Sequence, residues 1–298
     1  RESRLRLQGP RVAMQAVEAI AASSATGAIP MRLYRPFSLK REPLPPPLPC
    51  LVYFHGGGLT LGDLDSHDDL CRGLAHQGQC AVAAVAYRLA PEHRYPAAIE
   101  DALAAVRWLA GQAPALGLDP ARIAVGGDSA GGALAAAAAL ALRDTPLKLT
   151  MQLLLYPITD MGHDLPSHYR LGEGYGLTRE GLIWFRSNYL RSEADIADWR
   201  VSPLRAASHA GLPPACIITA GFDPLLDEGR AYAERLQAAG VPIMYECFGG
   251  MIHGFMLMTG VLAASRHAIY RAGQALRAAF AGVSLNVAPL RQHKAPGE

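Results

Sequence analysis

The sequence predicts an α/β fold in which a mostly parallel central sheet is flanked by helices and carries a cap region. Two observations predict it. Short, continuously apolar runs, typical of strands buried on both faces of a parallel sheet, alternate with segments of helical apolar spacing. This alternation stops for about 50 residues in mid-chain and then resumes, which indicates an insertion into a regular fold. A chain of 298 residues with 50% hydrophobic content can bury the core that such a domain needs.

Five segments predict the strands that precede the insertion. GAIPMRLYRP (27–36) alternates and ends at a proline, and apolar runs follow at CLVYF (50–54), CAVAAVAY (80–87), RIAV (122–125) and TMQLLLYP (150–157). The segment EPLPPPLP (42–49) is predicted to be an extended connector, because proline cannot donate a ladder hydrogen bond or continue a helix. Apolar residues spaced three and four apart predict helices over 67–77 and 97–109. The order of strands and helices favours right-handed crossovers in a layered sheet.

The insertion, which is polar and contains scattered glycines, divides the predicted core into two parts. We expect residues 12–158 to form the first part of the core, 159–211 the cap insertion with a helix over 178–190, and 212–281 the second part of the core. In that second part the pattern predicts strands over 215–221 and 242–248 and helices over 229–239 and 261–280. Residues 282–298 are predicted to be a frayed tail.

Composition restricts the class of partner. The 28 basic and 26 acidic residues give a formal net charge of +2 and are scattered, so we expect no nucleic acid partner and a small-molecule substrate instead. Five cysteines without a CxxC motif predict buried thiols in a reducing, cytoplasmic compartment, with no disulfide framework and no metal site. The longest apolar run, 133–142, is too short for a membrane span, and we see no signal-peptide pattern.

The stretch GGDSAGG (126–132) places Ser129 between glycines where a strand pattern becomes a helix pattern. It matches G-x-S-x-G, the sharp turn on which a nucleophilic serine is exposed and at which flanking side chains would collide. A phosphate-binding loop is the alternative interpretation, but the dinucleotide spacing G-x-G-x-x-G and a Walker lysine are both absent. The motif therefore needs partners elsewhere in the chain before it indicates catalysis.

The stretch HGGG (55–58) follows the predicted strand 50–54 directly. Successive glycines let backbone N–H groups face a ligand without intervening side chains, which is how an oxyanion hole is built. An ordinary flexible turn is the alternative, and it is disfavoured by the conformational entropy that three glycines lose on folding. The N–H of Ala130, directly after the serine, would complete such a hole.

A serine hydroxyl needs a base that is neutral near pH 7, which favours histidine. In folds that carry the nucleophile on this kind of turn, the acid and then the histidine follow it along the chain. Six histidines lie downstream of Ser129: His163, His168, His209, His253, His267 and His293. His253 is the best candidate, because FGGMIHGFM places it in a glycine-bounded loop after a predicted core strand, where ligands bind in open α/β folds.

The acid that orients the histidine should lie between Ser129 and His253 in a loop after another strand. Asp223 meets this requirement, since it follows the predicted strand 215–221 and precedes a turn-forming proline. Asp227 and Glu228 are its rivals, and we expect them instead to cap the next helix and interact with its positive end.

Taken together, these motifs resemble the hormone-sensitive lipase family of α/β-hydrolase carboxylesterases, bacterial family IV, in its GDSAG subgroup. The resemblance runs from about residue 29 to 280 and includes, in order, the stretches HGGGLTLGDLDSHD, YRLAPEHRYPAA, GGDSAGG, DPLLDEG and HGF. It implies the α/β-hydrolase fold and serine carboxylesterase activity without a cofactor. It also implies a homodimer joined through the sheet edge near the last strand.

Residue by residue, the resemblance implies a triad of Ser129, Asp223 and His253. It implies an oxyanion hole formed by the N–H groups of Gly57, Gly58 and Ala130, with YRLAPEHRYPAA and His55 as structural supports. Two positions depart from the family pattern: Leu59, where relatives often carry an aromatic residue, and Ala133, where many carry asparagine. Both could reshape the pocket wall. Family members usually begin with helices that form part of the cap, so we expect residues 1–11 to be a remnant of that element.

Three functions fit this set of residues. The first is hydrolysis of carboxylic esters with short to medium acyl chains. The second is binding of a small ligand without catalysis, which receptors on this fold achieve after losing the histidine, and the presence of His253 argues against it. The third is amide hydrolysis with the same triad.

Overall fold

The computed structural model describes residues 7–285, and an eight-stranded sheet forms its centre. The strands are β1 (Met14–Ser24), β2 (Gly27–Pro36), β3 (Leu48–Phe54), β4 (Ala81–Val85), β5 (Leu118–Asp128), β6 (Gln152–Leu155), β7 (Ala215–Phe222) and β8 (Ile243–Ile252). The helices are α1 (Asp68–Gly78), α2 (Ala97–Gln112), α3 (Ala130–Leu142), α4 (Pro166–Arg170), α5 (Arg179–Tyr189), α6 (Leu226–Ala238) and α7 (Ala263–Phe280).

The strand order is β1-β2-β4-β3-β5-β6-β7-β8. Strands β3 to β8 pair in parallel, whereas β1 pairs with β2, and β2 with β4, in antiparallel fashion. The predicted α/β-hydrolase fold, a mostly parallel sheet flanked by helices, is confirmed. Because parallel strands point the same way, the loops after β3, β5, β7 and β8 emerge at one edge of the sheet.

Helices cover both faces of the sheet, and this explains why its central strands are continuously apolar. Every residue of β3, β4 and β6 is buried. Side chains alternate between the two faces: Val52 and Phe54 belong to the core beneath α2, α3 and α6, and Leu51 and Tyr53 to the core beneath α1 and α7. The helix α3 is apolar all round and almost wholly buried, so it needs no polar face.

The structure differs from the predicted elements in several places, among them β5, which begins at Leu118 rather than 122, and α4, which was not predicted. β1 was not predicted, because its alanine-rich sequence lies at the sheet edge, largely in contact with solvent, and shows no clear alternation. Helix α6 begins at Leu226, three residues before the predicted 229, so that Asp227 and Glu228 lie inside its first turn. Strand β8 continues to Ile252, beyond the predicted 248.

The segment between β6 and β7, which we propose as the cap, contains α4, α5 and two short 3₁₀ turns. The core holds it by polar contacts. The Arg94 guanidinium donates to the carbonyl oxygens of Ser187 and Leu190, at 2.8 and 2.6 Å, and the Tyr95 N–H donates to the Tyr189 carbonyl oxygen at 2.8 Å. Residues 1–6 of the proposed N-terminal remnant, and 286–298 of the predicted tail, lie outside the described residues.

The cysteines carry free thiols in the described structure: four are buried and Cys247 is half-buried. Burial raises the pKa of the Cys50 thiol to about 12, which keeps it protonated and chemically inert. Between residues 7 and 285, we find no helix with the length and apolar character needed to cross a bilayer.

Candidate active site

Ser129 lies at the tip of the turn between β5 and α3. Its backbone has φ 55° and ψ −120°, a conformation that non-glycine residues rarely adopt, and the turn is held by a 2.8 Å hydrogen bond from the Ser129 N–H to the Leu155 carbonyl oxygen. A Cβ at Gly131 would overlap the carbonyl oxygen of Phe54, and one at Gly127 would overlap the carbonyl group of Gly131. The flanking glycines are therefore required by close packing, as the motif predicted.

Two other loops bring an imidazole and a carboxylate to this serine. His253 follows β8, and its Nε2 lies 3.0 Å from the Ser129 Oγ. Asp223 follows β7, and its Oδ2 lies 2.7 Å from the His253 Nδ1. Asp223 is fully buried, and its Oδ1 accepts a 2.9 Å hydrogen bond from the Leu225 N–H. Because the carboxylate can only accept, the proton of the imidazole lies on Nδ1, and Nε2 is left to accept from the serine.

The loop after β3 faces the same serine. Gly57 and Gly58 have φ angles of 125° and 62°, which side-chain-bearing residues rarely adopt, and a Cβ at Gly58 would strike the ring of Phe185 from α5. The N–H groups of Thr60 and Leu61 close the turn on the Gly57 carbonyl oxygen. Within residues 7–285, no hydrogen-bond acceptor is found for the N–H groups of Gly57, Gly58 or Ala130.

Asp128 joins this loop to the nucleophile turn. Its Oδ1 accepts hydrogen bonds from the Tyr53 hydroxyl at 2.7 Å and the Gly56 N–H at 2.9 Å, and its Oδ2 lies 3.2 Å from the His67 Nε2. Burial by itself would raise the pKa of Asp128, but the neighbouring His67 and these hydrogen bonds outweigh it and lower the pKa to about 2. No role for Asp128 or His67 was predicted, although the position of Asp128 directly before Ser129 was an available signal.

His55 is the first residue of the loop 55–58, here called the glycine loop, and it helps to fix the position of that loop. The Tyr87 hydroxyl donates to the His55 carbonyl oxygen at 2.6 Å and its ring stacks on the imidazole, and the Ala90 N–H donates to the Leu59 carbonyl oxygen at 2.8 Å. These contacts give YRLAPEHRYPAA the structural role that the resemblance implied. Burial, followed by the proximity of His67, lowers the pKa of His55 to about 4.

Acidification is expected to destabilise the protein through His55. Its pKa is about 4 in the folded state and 6.5 when exposed, so its neutral form favours folding fully above pH 6.5, and this contribution is lost as the pH falls towards 4. The loss is at most about 3 kcal/mol. Urea unfolding of wild type and His55→Asn between pH 7 and 4.5 measures it. We expect a smaller decrease in the variant, and equal decreases would contradict the assignment.

A cavity of about 390 Å³ lies above Ser129, between the core and the cap. The core contributes most of its polar lining, which includes Ser129, His253, Asp128 and His67. The apolar lining comes from both sides: Ile158, Ile252, Leu257, Met258, Leu177, Leu182 and Phe185. No lysine or arginine lines the cavity of the described structure, and the carboxylate that does, Asp128, is hydrogen-bonded to Tyr53, Gly56 and His67, so the cavity favours an uncharged ligand.

The other described histidines downstream of Ser129 have partners elsewhere in the fold. The His209 Nε2 bonds the Pro203 carbonyl oxygen at 3.0 Å, His267 packs near Phe248, and His293 is outside the described residues. His163 and His168 lie with Glu228 in a buried cluster whose ligand-type atoms are within 4.8 Å of one another.

The contacts of this cluster do not favour a metal ion. The Leu165 N–H donates to the His168 Nδ1 at 3.0 Å, so the proton of His168 lies on Nε2 and donates to Glu228 at 2.7 Å. A metal ion bound to the His168 Nε2 would have to displace that proton. A histidine that binds a metal usually donates its other ring N–H to an acceptor, but the His168 Nδ1 carries no hydrogen. The cluster is therefore better explained as a hydrogen-bonded anchor.

Asp227 and Glu228 lie in the first turn of α6, at its positive end as predicted, but they do not cap the helix. The Asp227 Oδ2 accepts from the Ser167 N–H at 2.8 Å, and the buried Glu228 accepts from the Thr159 N–H at 2.6 Å as well as from His168. The N-cap of α6 is Leu225, which makes no side-chain cap. Both carboxylates therefore fasten the 159–168 segment to the first turn of α6, a structural role for which the sequence had no local signal.

Comparison with known proteins agrees with this architecture. Residues 51–257 match the model of a family described as having an alpha/beta hydrolase fold. A carboxylic ester hydrolase of Mycobacterium tuberculosis, LipN, is 44% identical over 84% of this chain and 66% of the relative. An ethyl acetate hydrolase of Pseudomonas putida is 44% identical over 78% of this chain and 73% of the relative.

Solved structures give the same result. An ester hydrolase from the Lake Arreo metagenome, complexed with a bipyridine phosphonate derivative, superposes with a TM-score of 0.89 at 40% identity, covering 94% of this chain and 88% of that one. EstE1, a thermostable carboxylesterase cloned from a metagenomic library, also gives 0.89, at 37% identity over 94% of both chains. The chain belongs to the α/β-hydrolase family and, within it, to the hormone-sensitive lipase group of carboxylic ester hydrolases.

Proposed function

We propose that the protein hydrolyses carboxylic esters with Ser129, His253 and Asp223 as its catalytic triad. The Ser129 Oγ attacks the ester carbonyl carbon while the His253 Nε2 accepts the hydroxyl proton. The same proton then passes from His253 to the leaving alcohol, and an acyl-enzyme remains. Asp223 fixes the imidazole tautomer and stabilises the imidazolium that forms.

The second half of the reaction repeats these steps with water. His253 accepts a proton from the water, whose oxygen attacks the acyl carbon, and then returns a proton to the Ser129 Oγ as the acid leaves. In both halves the N–H groups of Gly57, Gly58 and Ala130 are proposed to stabilise the tetrahedral oxyanion. Their location on the loop and turn that enclose Ser129, without acceptors among the described residues, supports this role.

The proposed substrates are uncharged esters with short to medium acyl chains. The cavity of about 390 Å³ lies within the range of small-molecule sites, and its walls are largely apolar. A relative named for the hydrolysis of ethyl acetate, a small uncharged ester, supports the same substrate class.

The observation that carries the proposal is the hydrogen-bonded line from Asp223 through His253 to Ser129, with distances of 2.7 and 3.0 Å. A fluorophosphonate probe tests it, because only an activated serine is phosphonylated rapidly. We expect one equivalent of label, located on the Ser129 peptide by mass spectrometry. An unlabelled protein would favour the non-catalytic binding function, and an anilide assay run beside the ester assay measures the share of amide hydrolysis.

A further inference from the structure

One glycine in the cavity wall is required neither by its backbone conformation nor by close packing. The other cavity glycines are Gly56, Gly57, Gly58, Gly176 and Gly254. Four of these have φ angles between 62° and 125°, and a Cβ at Gly56 would strike the Asp128 carboxylate. Gly181 has neither constraint: its φ is ordinary, and nothing from the core approaches its Cβ position.

Gly181 lies in the first turn of α5, where its N–H donates to the Oγ of the N-cap residue Thr178 at 3.0 Å. A Cβ built there would lie 3.2 Å from that same Oγ. Apart from the backbone of α5 and the adjacent residues Glu180 and Leu182, no other atom of the described structure comes within 4 Å of it. A Cβ at this position therefore requires a shift of a few tenths of an ångström in the Thr178 side chain, and beyond that contact it meets open space.

This space borders the active-site cavity, since Gly181 is one of the residues that line it. Thr178, Gly181, Leu182 and Phe185 line it with the i, i+3, i+4, i+7 spacing of a single helix face. Leu182 and Phe185 fill their part of that face, so the wall has a recess at Gly181. The recess opens into the cavity that Ile252 and Met258 also line, and it suits an apolar chain rather than a charged group.

We propose that Gly181 is a specificity-determining residue: the recess beside it receives the apolar chain of the ester and limits the length of that chain. The chain could come from the acyl or the alcohol part of the substrate, since both are apolar and both extend from the carbonyl carbon above Ser129. This inference rests on the proposed ester hydrolysis. It identifies the part of the cavity wall that selects substrates by the length of their apolar chain.

The test compares Gly181→Ala and Gly181→Leu with Gly111→Ala and Gly111→Leu. Gly111 is a matched control, because it lies in α2, is exposed, lies outside the cavity, and a Cβ there meets nothing within 4 Å. For each variant, kcat/KM is measured with p-nitrophenyl acetate, butyrate and octanoate, and with ethyl, butyl and octyl acetate. Leucine is used because it extends the side chain while remaining a good helix former.

In one of the two series, we expect Gly181→Leu to lower the ratio of long-chain to short-chain kcat/KM by at least about 10-fold. Gly181→Ala should lower the ratio less, and the Gly111 variants should leave it unchanged. The series that responds identifies whether the acyl or the alcohol chain occupies the recess. Thermal melting verifies that each variant folds.

Unchanged ratios in both series would overturn the inference, and so would an equal loss for every ester, which would indicate a general effect on the active site. Fluorophosphonate labelling separates this failure from that of the proposed function. Labelled Ser129 with unchanged ratios contradicts only the role of Gly181. A wild-type protein that is neither labelled nor active on any ester contradicts the proposed function itself.

Discussion

Replacement of Ser129 by alanine is expected to lower kcat/KM for p-nitrophenyl butyrate by at least about 10⁴-fold. The substitution removes the only atom proposed to form the acyl-enzyme, and His253 and the backbone N–H groups remain in place. The residual rate should approach what substrate binding and oxyanion stabilisation give without a nucleophile. The measurement is steady-state hydrolysis of purified protein, with far-ultraviolet circular dichroism to show that the variant is folded.

Ser187→Ala is a suitable control for this experiment. Ser187 is exposed on α5, and its hydroxyl donates to the Trp184 carbonyl oxygen within its own helix. We expect it to retain wild-type activity. Near-normal turnover by Ser129→Ala would show that the proposed nucleophile is wrong.

Replacement of Asp223 by asparagine should reduce kcat by about 10⁴-fold through the tautomer of His253. The Leu225 N–H bonds the Asp223 Oδ1 at 2.9 Å, so an asparagine would place its carbonyl oxygen there and its NH₂ group against the His253 Nδ1. That NH₂ group donates to Nδ1 and moves the imidazole proton to Nε2. Nε2 could then no longer accept the proton of Ser129. Steady-state hydrolysis assays at pH 7 to 8 measure this loss of kcat.

Asp227→Asn is the matched control, because it makes the same change four residues along the chain. Asp227 accepts from the Ser167 N–H and does not contact His253. We expect kcat to stay within a few-fold of wild type. A large loss in Asp227→Asn together with a small loss in Asp223→Asn would reassign the acid to the rival carboxylate.

The elements that could be predicted from sequence are those whose environment is uniform along their length. β3, β4 and β6 are buried on both faces, so their apolar runs identified them without ambiguity. β1 was not predicted, because it is an alanine-rich edge strand whose position depends on pairing with β2. The start of α6 was misplaced for a similar reason: Asp227 and Glu228 suggested caps, but their partners are in another segment.

The proposed triad could be selected from sequence because each member lies a few residues after a predicted strand. That the three loops meet depends on the strand order β5-β6-β7-β8, which long-range pairing sets and no local pattern contains. The same limit explains the contacts that were missed. The Gly56 N–H bonds Asp128 across 72 positions of the chain, and His168 bonds Glu228 across 60, so neither pair leaves a recognisable motif.

The central claim is that Ser129 attacks an ester whose oxyanion is held by the glycine loop and the N-terminus of α3. A crystal structure of the phosphonate adduct tests it most directly, because the phosphonyl group mimics the tetrahedral intermediate. We predict phosphorus bonded to the Ser129 Oγ, with the phosphoryl oxygen about 2.7–3.1 Å from the N–H groups of Gly57, Gly58 and Ala130. Phosphorus on another residue, or a phosphoryl oxygen directed away from all three N–H groups, would contradict it.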